Sequence, residues 1–186
     1  MRSAKAVCSG TLCSLLAVVF SAPAFAQLTS APVPVALVAL APESLTVTLT
    51  SGATVNFTLT GGSADLGSIT PAWTTTWNLK PSRNSVAVCV FLSGAHTGTG
   101  TNTDTVPMAN ILGQPDAAGS FTAITGNGCG QTGNALLINT YALTSPASRK
   151  NVSKNDSVAL EINDSALTLE ADTYSGTLNI VAQATP

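Results

Sequence analysis

Apolar and polar residues alternate with a period of two along most of the chain beyond residue 43. Because successive side chains of a β-strand point to opposite faces, this period predicts half-buried strands, and no helical period of any length competes with it. The first two predicted strands are joined by a turn at Ser51 and Gly52, and their apolar positions are Leu45, Val47 and Leu49, then Val55, Phe57 and Leu59. Two later strands have their apolar positions at Val158, Leu160 and Ile162 and at Tyr174, Leu178, Ile180 and Ala182. The pattern is typical of antiparallel strands with one face in a core and one in water.

The stretch 73–92 predicts a hairpin around which the other strands are arranged. Trp73, Trp77 and Leu79 share one face at a period of two, and residues 81–84 (Pro-Ser-Arg-Asn) are suited to a turn. The second strand of the hairpin, 86–92, carries apolar residues on both faces. A strand with no face suited to water belongs in the middle of a sheet.

These elements together predict an all-β domain. Residues 136–143 form another strand that is apolar on both sides, with Leu136 and Tyr141 on opposite faces. Polar, glycine-containing stretches at 93–105 and 126–134 predict exposed loops. About eight to ten short strands separated by turns indicate a sandwich or a barrel, and the unequal loop lengths favour an antiparallel β-sandwich.

The N-terminus has the order of regions found in a secretory signal peptide. Arg2 and Lys5 precede an apolar run at 12–20, and the small-residue sequence Ala-Phe-Ala follows at 24–26. We expect cleavage after Ala26, and the apolar run is shorter than the ~18 residues that a membrane-spanning helix needs. The predicted organisation is therefore a signal peptide (1–26), an N-terminal extension (27–42) and a β-sandwich domain (43–186).

Composition and charge agree with export. The chain of 186 residues has a formal net charge of −2, and charged residues make up 9% of it, against ~25% in an average soluble domain. Because no basic patch or stripe is present, we expect no nucleic-acid partner, and no stretch predicts a membrane span. With the signal peptide, this composition predicts a secreted protein that is extracellular or at the cell surface, and that passes through the periplasm if the cell is Gram-negative.

Two cysteines remain after the predicted cleavage, Cys89 and Cys129. In an oxidising compartment a single pair has one possible intramolecular connection, and we predict a disulfide between them. The alternative is two separately buried thiols, since a free cysteine behaves as a small hydrophobe. A disulfide would hold the glycine-rich loop around Cys129 over the face of the central strand that carries Cys89 and Phe91.

The inventory of reactive side chains indicates a protein that is not an enzyme. His96 is the one histidine of the sequence, so a site built from several histidines cannot form within one chain, and we expect its side chain to be solvated in a polar loop. The glycine-rich sequence 126–134 lacks the lysine and the following helix of a phosphate-binding loop. The acidic residues lie mostly in predicted turns or at outward positions, and nothing pairs two of them for acid–base chemistry. We therefore expect no catalytic residue, no metal ligand and no cofactor.

The segment 27–41 (QLTSAPVPVALVALA) is uncharged and largely apolar. Pro32 and Pro34 favour an extended chain over a helix at its start. Two interpretations stay open. The segment is an edge strand of its own sandwich, with the prolines preventing further pairing, or it is a strand donated to a neighbouring subunit, which would give head-to-tail assembly.

Two motifs resemble a known group of exported proteins. They are TWNLKPSRNSVAVCVF at 76–91 and LEADTYSGTLNIVAQA at 169–184. Both are similar to segments of bacterial proteins of the spore-coat-U and fimbrial-subunit type, in which a tryptophan-containing strand precedes an apolar strand and a tyrosine-containing motif opens the final strand. The resemblance covers roughly residues 44–184. It implies an immunoglobulin-like β-sandwich and a structural role at the cell surface, with other surface subunits or further copies of the chain as partners.

Two classes of function therefore stay open. The first is a structural or assembly subunit of a surface fibre or coat, indicated by the sparse charge, the N-terminal extension and the resemblance. The second is a secreted module that binds carbohydrate or another ligand, for which Trp73 and Trp77 could stack on sugar rings if they faced solvent. Since they share a face with Leu79, we expect both in the core. The exposure of Trp77 separates the two classes.

Overall fold

The computed structural model describes residues 36, 38–62, 64–99 and 101–186. Within this part, Leu40–Pro186 belongs to one compact unit. The predicted signal peptide (1–26) and most of the N-terminal extension (27–42) lie outside the described residues, so both stay predictions.

Nearly all the regular structure consists of β-strands. In chain order they are β1 (Ser44–Ser51), β2 (Ala64–Leu66), β3 (Ala72–Asn78), β4 (Ser85–Leu92), β5 (His96–Thr97), β6 (Thr105–Val106), β7 (Ile111–Pro115), β8 (Thr122–Ala123), β9 (Gly126–Gly128), β10 (Gln131–Ala142), β11 (Val152–Asn163) and β12 (Leu178–Thr185). Short 3-10 helices occur at Met108–Asn110 and Pro146–Ser148.

Two antiparallel sheets enclose the core. Within the described residues, one sheet has the strand order β1-β3-β11-β7-β8, with β2 also paired to β11, and the other has the order β12-β4-β10-β9. Strands β5 and β6 form a separate short ladder. The strand pairs are antiparallel throughout. This architecture confirms the prediction of an all-β, antiparallel β-sandwich.

The core is built from alternate residues of the facing strands, as the period of two predicts. The buried inward side chains of β3, β4 and β11 include Trp73, Trp77, Val86, Val88, Val90, Leu92, Val158, Leu160 and Ile162. Complete burial of one aliphatic side chain of this size contributes about 1.5 to 3 kcal/mol, so the alternation is also the main source of stability.

The predicted hairpin between β3 and β4 is wrong in its pairing. β3 pairs with β1 and β11, whereas β4 pairs with β10 and β12, so the two strands belong to opposite sheets. The turn at 81–84 is therefore an arch between the sheets. Leu79 N donates to Arg149 O before the arch, and Asn84 N donates to Thr185 O at its end. The alternation indicates which faces are apolar, and these faces meet across the core rather than side by side in one sheet.

The sequence predicts that strand 86–92 lies in the interior of a sheet, and this is confirmed, since β4 lies between β12 and β10. On the outer face of β4, Cys89 is fully buried. A disulfide joins it to Cys129, with 6.1 Å between the Cα atoms. Gly128 packs so closely against this bond that a Cβ at Gly128 would lie 3.0 Å from Cys89 Sγ. The disulfide-linked loop thus shields Cys89 on the outer face of β4 from water.

The predicted strand at 55–59 is an extended segment without a strand ladder. Its apolar side chains are half-buried against the core, as expected. Asn56 and Ser68 hold it, because Ser68 N donates to Asn56 O and Asn56 N donates to Ser68 Oγ. β1 pairs with β3 instead, where Leu45 lies opposite Trp77. Cross-strand pairs that include an aromatic side chain stabilise the ladder between β1 and β3. β1 therefore pairs with β3 rather than with segment 55–59, which is nearer to it in the sequence.

A β-bulge in β10 changes which side chains face the core. The register of β10 against β4 shifts between Leu137 and Asn139, which inserts one extra residue. The alternation predicts Leu136 and Tyr141 on opposite faces, yet both pack against the core. Leu137 is 48% exposed. The bulge thereby brings the polar groups of Asn139 and Tyr141 into the interior.

Candidate functional site

An open cleft lies between the edges of the two sheets. β1 is the edge strand of one sheet and β12 that of the other, and each pairs on one side only within the described residues. The cleft has a volume of about 1460 Å³ and is lined by β1, the extended segment after it, the end of β11 and the chain from Leu167 to Ile180. Unpaired backbone on two sides makes this cleft the candidate site.

The walls of the cleft are core side chains that remain partly open to water. Leu49 in β1 is 43% exposed, although Trp73, opposite it in β3, is fully buried. The half-buried apolar residues that line the cleft are Val47, Val55, Phe57, Leu59, Leu167, Leu169, Leu178 and Ile180. Apolar surface left in water costs about 25 cal/mol per Å², so the cleft favours an apolar occupant.

An ion-pair cluster links the two edge strands at one end of the sandwich. Arg83 Nε donates to Glu43 Oε1 at 3.2 Å, next to the start of β1. The Nη1 of the same arginine donates to Ala184 O at 3.4 Å, near the end of β12. Lys80 adds a second cation, with Nζ 3.4 Å from Glu43 Oε2. The start of β1 is therefore beside the end of β12, so the two edge strands run antiparallel.

These contacts keep Glu43 ionised. The hydrogen bond from Arg83, followed by the backbone N–H of Lys80, lowers the pKa of Glu43 to about 2. The cluster thereby holds the residue that precedes β1, which is where the N-terminal extension joins the sandwich.

One end of the cleft is formed by two loops that hold each other. Thr99 donates to the Asp172 carboxylate through its backbone N–H, at 2.7 Å, and through its hydroxyl. The hydrogen bond from the Thr99 hydroxyl is the main cause of the lowered pKa of Asp172, and the bond from the Thr99 backbone N–H contributes to it. β12 begins at Leu178 rather than at Tyr174 as predicted, because the chain before it forms an isolated bridge between Ser175 and Thr97 of β5 instead of continuing the ladder with β4.

The expectation of a solvated His96 is wrong. It lies in β5 opposite Val106 and is half-buried. Its Nδ1 is buried and has no hydrogen-bond partner among the described residues. The ring packs on Gly176, where a Cβ would lie 2.5 Å from Nδ1. Burial lowers the pKa of His96. The ring fills space between the two loops.

Both tryptophans lie in the core, as expected. Trp73 is 0% and Trp77 2% exposed. The indole Nε1 of Trp77 donates to Ser148 O at 2.9 Å, and its ring centroid lies 5.5 Å from that of Tyr141. Neither ring offers a free face on which a sugar could stack, so they form no carbohydrate platform.

A buried polar cluster that the sequence pattern did not predict lies between the two sheets. Asp156 is 3% exposed and accepts hydrogen bonds from Tyr141 Oη at 2.5 Å and from Asn139 Nδ2 at 3.2 Å. Burial, and then the bond to the Asp156 carboxylate, raises the pKa of Tyr141. One signal was available, since Asp156 has the same parity as Val158 in β11 and so belongs to its inward face. No feature of the sequence predicted the bulge in β10, which places the two donors, Asn139 and Tyr141, beside Asp156.

Asp164 is a second buried carboxylate, at 2% exposure, and lies at the cleft. Its Oδ2 accepts a hydrogen bond from Gly61 N at 2.8 Å. Asp156 and Asp164 are therefore exceptions to the expectation that the acidic residues lie mostly in turns or face outward, and each carboxylate holds neighbouring chain in place.

In the part of the chain that the structure describes, His, Cys, Asp and Glu form no group of three or more that could hold a metal ion. No helix there is long and apolar enough to cross a membrane.

Comparison with known proteins gives partial similarity to solved structures alone. No protein-family model and no curated protein matches the chain. Among solved structures, a chain of a chaperone–tip adhesin complex of CFA/I fimbriae biogenesis superposes on 76% of this chain, with a TM-score of 0.41 and 10% sequence identity. This chain spans 42% of that neighbour's length.

Proposed function

We propose that this protein is a non-enzymatic, exported subunit of a surface fibre or coat, and that its cleft receives segment 27–41 of a second copy. The observation that carries the proposal is a cleft in which exposed core side chains lie between two unpaired strand edges. One additional strand would complete such a cleft, because its backbone can pair with both edges while alternate side chains fill the core.

The lengths of cleft and segment are compatible. β1 and β12 contain eight residues each, so each edge is about 26 Å long at ~3.3 Å per residue. A fully extended segment of fifteen residues spans about 50 Å. The segment is therefore long enough to pair with the part of each edge that lines the cleft and still leave several residues to connect two subunits.

The sequence of segment 27–41 is also suited to the cleft. It has no charged residue, so no ionic group would lose its water on insertion. Val33, Val35 and Leu37 follow one another at a period of two and would point to the same side of an inserted strand. These three side chains match the apolar walls of the cleft.

The described end of the extension is open to solvent. Val38 and Leu40 are 94% and 90% exposed. Contiguous exposed apolar residues are typical of an interaction surface. Insertion into a second copy would join subunits head to tail, because a contact between two different surfaces does not close on itself.

The test compares mature protein beginning at Gln27 with a shortened protein beginning at Pro42. We expect the mature protein to form larger oligomers with rising concentration in light scattering, and the shortened protein to stay folded and monomeric. A free 27–41 peptide should bind the shortened protein and raise its Tm. A control peptide with serine in place of Val33, Val35 and Leu37 should do neither. A mature protein that is monomeric at every concentration, or a shortened monomer that does not fold, would overturn the proposal.

The alternative of a secreted binding module has less support. The tryptophans that could have stacked on sugars are buried. The cleft, at about 1460 Å³, also exceeds the roughly 300 to 1,000 Å³ of sites for small molecules. A polypeptide strand is the better match.

A further inference from the structure

Four tripeptides of the chain have the form Asn-X-Ser/Thr, which is the acceptor sequence for N-glycosylation. They begin at Asn56, Asn151, Asn155 and Asn163. Those at Asn155 and Asn163 are identical, since both read Asn-Asp-Ser. We propose that Asn163 is an N-glycosylation site and that the fold selects it over Asn155.

The tripeptide at Asn163 is presented at the end of a strand. Asn163 is the last residue of β11, where it pairs with Ala64 of β2 and its carbonyl accepts a hydrogen bond from Asn110 Nδ2. Its side chain and Ser165 are exposed, and the ladder ends before Ser165. Between them, Asp164 is buried and bonded to Gly61 N, so the middle residue anchors the tripeptide while its two recognition residues face solvent. This is an accessible and well-defined acceptor.

The side chains of the tripeptide are already arranged around the acceptor amide. Ser165 Oγ donates to Asn163 Oδ1 at 2.6 Å, and Ser165 N donates to the same oxygen at 3.2 Å. Nδ2 of Asn163 makes no hydrogen bond within the described residues. The amide nitrogen that would be modified is free, and the hydroxyl that defines the acceptor sequence contacts the same carboxamide.

This arrangement favours the chemistry of transfer. A carboxamide nitrogen is a weak nucleophile, and hydrogen bonds to Oδ1 stabilise the negative charge that this oxygen gains as Nδ2 loses a proton. The co-substrate is an oligosaccharide linked to a lipid diphosphate. A bond forms between Nδ2 and sugar C1, the bond from C1 to the diphosphate oxygen breaks, and the lipid diphosphate leaves. The Nδ2 proton passes to a base of the transferase.

The identical tripeptide at Asn155 is held inside a sheet. Asn155 lies opposite Thr74 in the ladder between β11 and β3, and its Oδ1 accepts a hydrogen bond from Thr74 Oγ1 at 2.8 Å. The middle residue, Asp156, is buried opposite Trp73. The Asn155 side chain is exposed, but the ladder with β3 continues on both sides of it, from Val152 to Ser157, so this tripeptide can change its backbone conformation in a transferase only after the ladder opens locally.

The remaining two tripeptides are also restrained. At Asn151, the next two residues, Val152 and Ser153, are already paired with β3. At Asn56, the backbone N–H and C=O are both bonded to Ser68. Neither tripeptide has a bond between its own hydroxyl and the amide of its asparagine within the described residues.

The test uses the folded mature protein, a lipid-linked oligosaccharide and a transferase that requires only Asn-X-Ser/Thr, with glycopeptides measured by mass spectrometry. The control is an unfolded peptide of residues 151–169, which carries both Asn-Asp-Ser sequences. In the folded protein, we expect the glycosylated fraction of Asn163 to exceed that of Asn155 by at least about tenfold. In the unfolded peptide, the glycosylated fractions of the two asparagines should be comparable. Asn163→Gln and Ser165→Ala should lose the modification, whereas Ser165→Thr should retain it.

Two results would overturn the proposal. One is an unmodified Asn163 in the folded protein under conditions that modify the peptide. The other is the same ratio between the two sites in protein and peptide, which would show that the fold does not select. Protein purified from its own cells should carry the glycan at Asn163. An unmodified Asn163 in that protein would show that the site is not glycosylated in the cell and would overturn the proposal.

Discussion

Arg83 and Glu43 form a hydrogen-bonded ion pair, with 3.2 Å between Nε and Oε1, beside the start of β1. Through its Nη1, the same arginine also bonds to the carbonyl of Ala184 in β12. One guanidinium thus connects the start of one edge strand to the end of the other.

The ion pair predicts a dependence of stability on acid pH. The pKa of Glu43 is about 2 in the folded state, below its ordinary value of 4.5. A lowered pKa means that the pair stabilises the fold fully above about pH 4.5 and loses this effect as the pH falls toward 2. We expect the Tm of Glu43→Gln to lie below that of the wild type at pH 6 and the difference to vanish near pH 2, in thermal scans. Glu161→Gln is the control for the loss of one carboxylate, and a Tm difference that is constant with pH would contradict the prediction.

The buried indole of Trp77 predicts a large loss of stability on truncation. We expect Trp77→Ala to lower the free energy of unfolding by about 3 to 5 kcal/mol, because it leaves a cavity beside Tyr141. Urea denaturation measures the change. Leu137→Ala, at an exposed position in β10, should change it by less than about 0.5 kcal/mol. An unchanged stability of Trp77→Ala would mean that the indole faces solvent and would favour the binding-module alternative.

The disulfide predicts that protein beginning at Gln27 has no free thiol. Titration of the unfolded, unreduced protein should detect none, and two reactive thiols would show that the bond does not form. The cysteines are 40 residues apart, so replacing both with serine should lower the free energy of unfolding by about 3 to 4 kcal/mol in the chain-entropy account.

The cleft predicts that a charge on its wall blocks binding of the segment. Leu49 lines the cleft and is 43% exposed, so Leu49→Lys can keep its ammonium group in water and leave the fold intact. In the shortened protein beginning at Pro42, we expect this variant to bind the 27–41 peptide at least about tenfold more weakly in calorimetric titration. Thr48→Lys, on the opposite face of β1, should bind like the parent. Equal weakening by both variants would place the binding surface elsewhere.

The bond between Tyr141 and Asp156 predicts a loss of stability at alkaline pH. Tyr141→Phe leaves Asp156 with one fewer donor and should cost about 1 to 3 kcal/mol. Because the pKa of Tyr141 is raised above its ordinary value of 10.0, the neutral hydroxyl stabilises the fold fully below pH 10 and this effect is lost as the pH rises beyond it. The stability of the wild type should therefore fall more steeply above pH 10 than that of Tyr141→Phe in urea titrations. Parallel curves for the two proteins would contradict this role.

The sequence by itself determined which side of most strands faces the core. In β4, Val86, Val88 and Val90 are inward because alternate residues of a strand share a face, and this parity is a property of the segment alone. The interior position of β4 follows from its apolar character on both faces. The pairing of Cys89 with Cys129 needed no more than a count, since the predicted mature chain offers a single combination.

The tertiary structure decided which strands are neighbours. β3 and β4 are adjacent in the sequence yet lie in opposite sheets, and β1 and β12 come from opposite ends of the domain yet flank one cleft. The bulge near Leu137 and the bonds of Asp156 likewise exist only once β4, β10 and β11 have assembled. The physical reason is that a period of two is carried by each segment, whereas partner and register are properties of two segments far apart in the chain. The partner and the register of each strand depend on which of several possible ladders is most stable, and the apolar–polar pattern of a single segment is compatible with all of them.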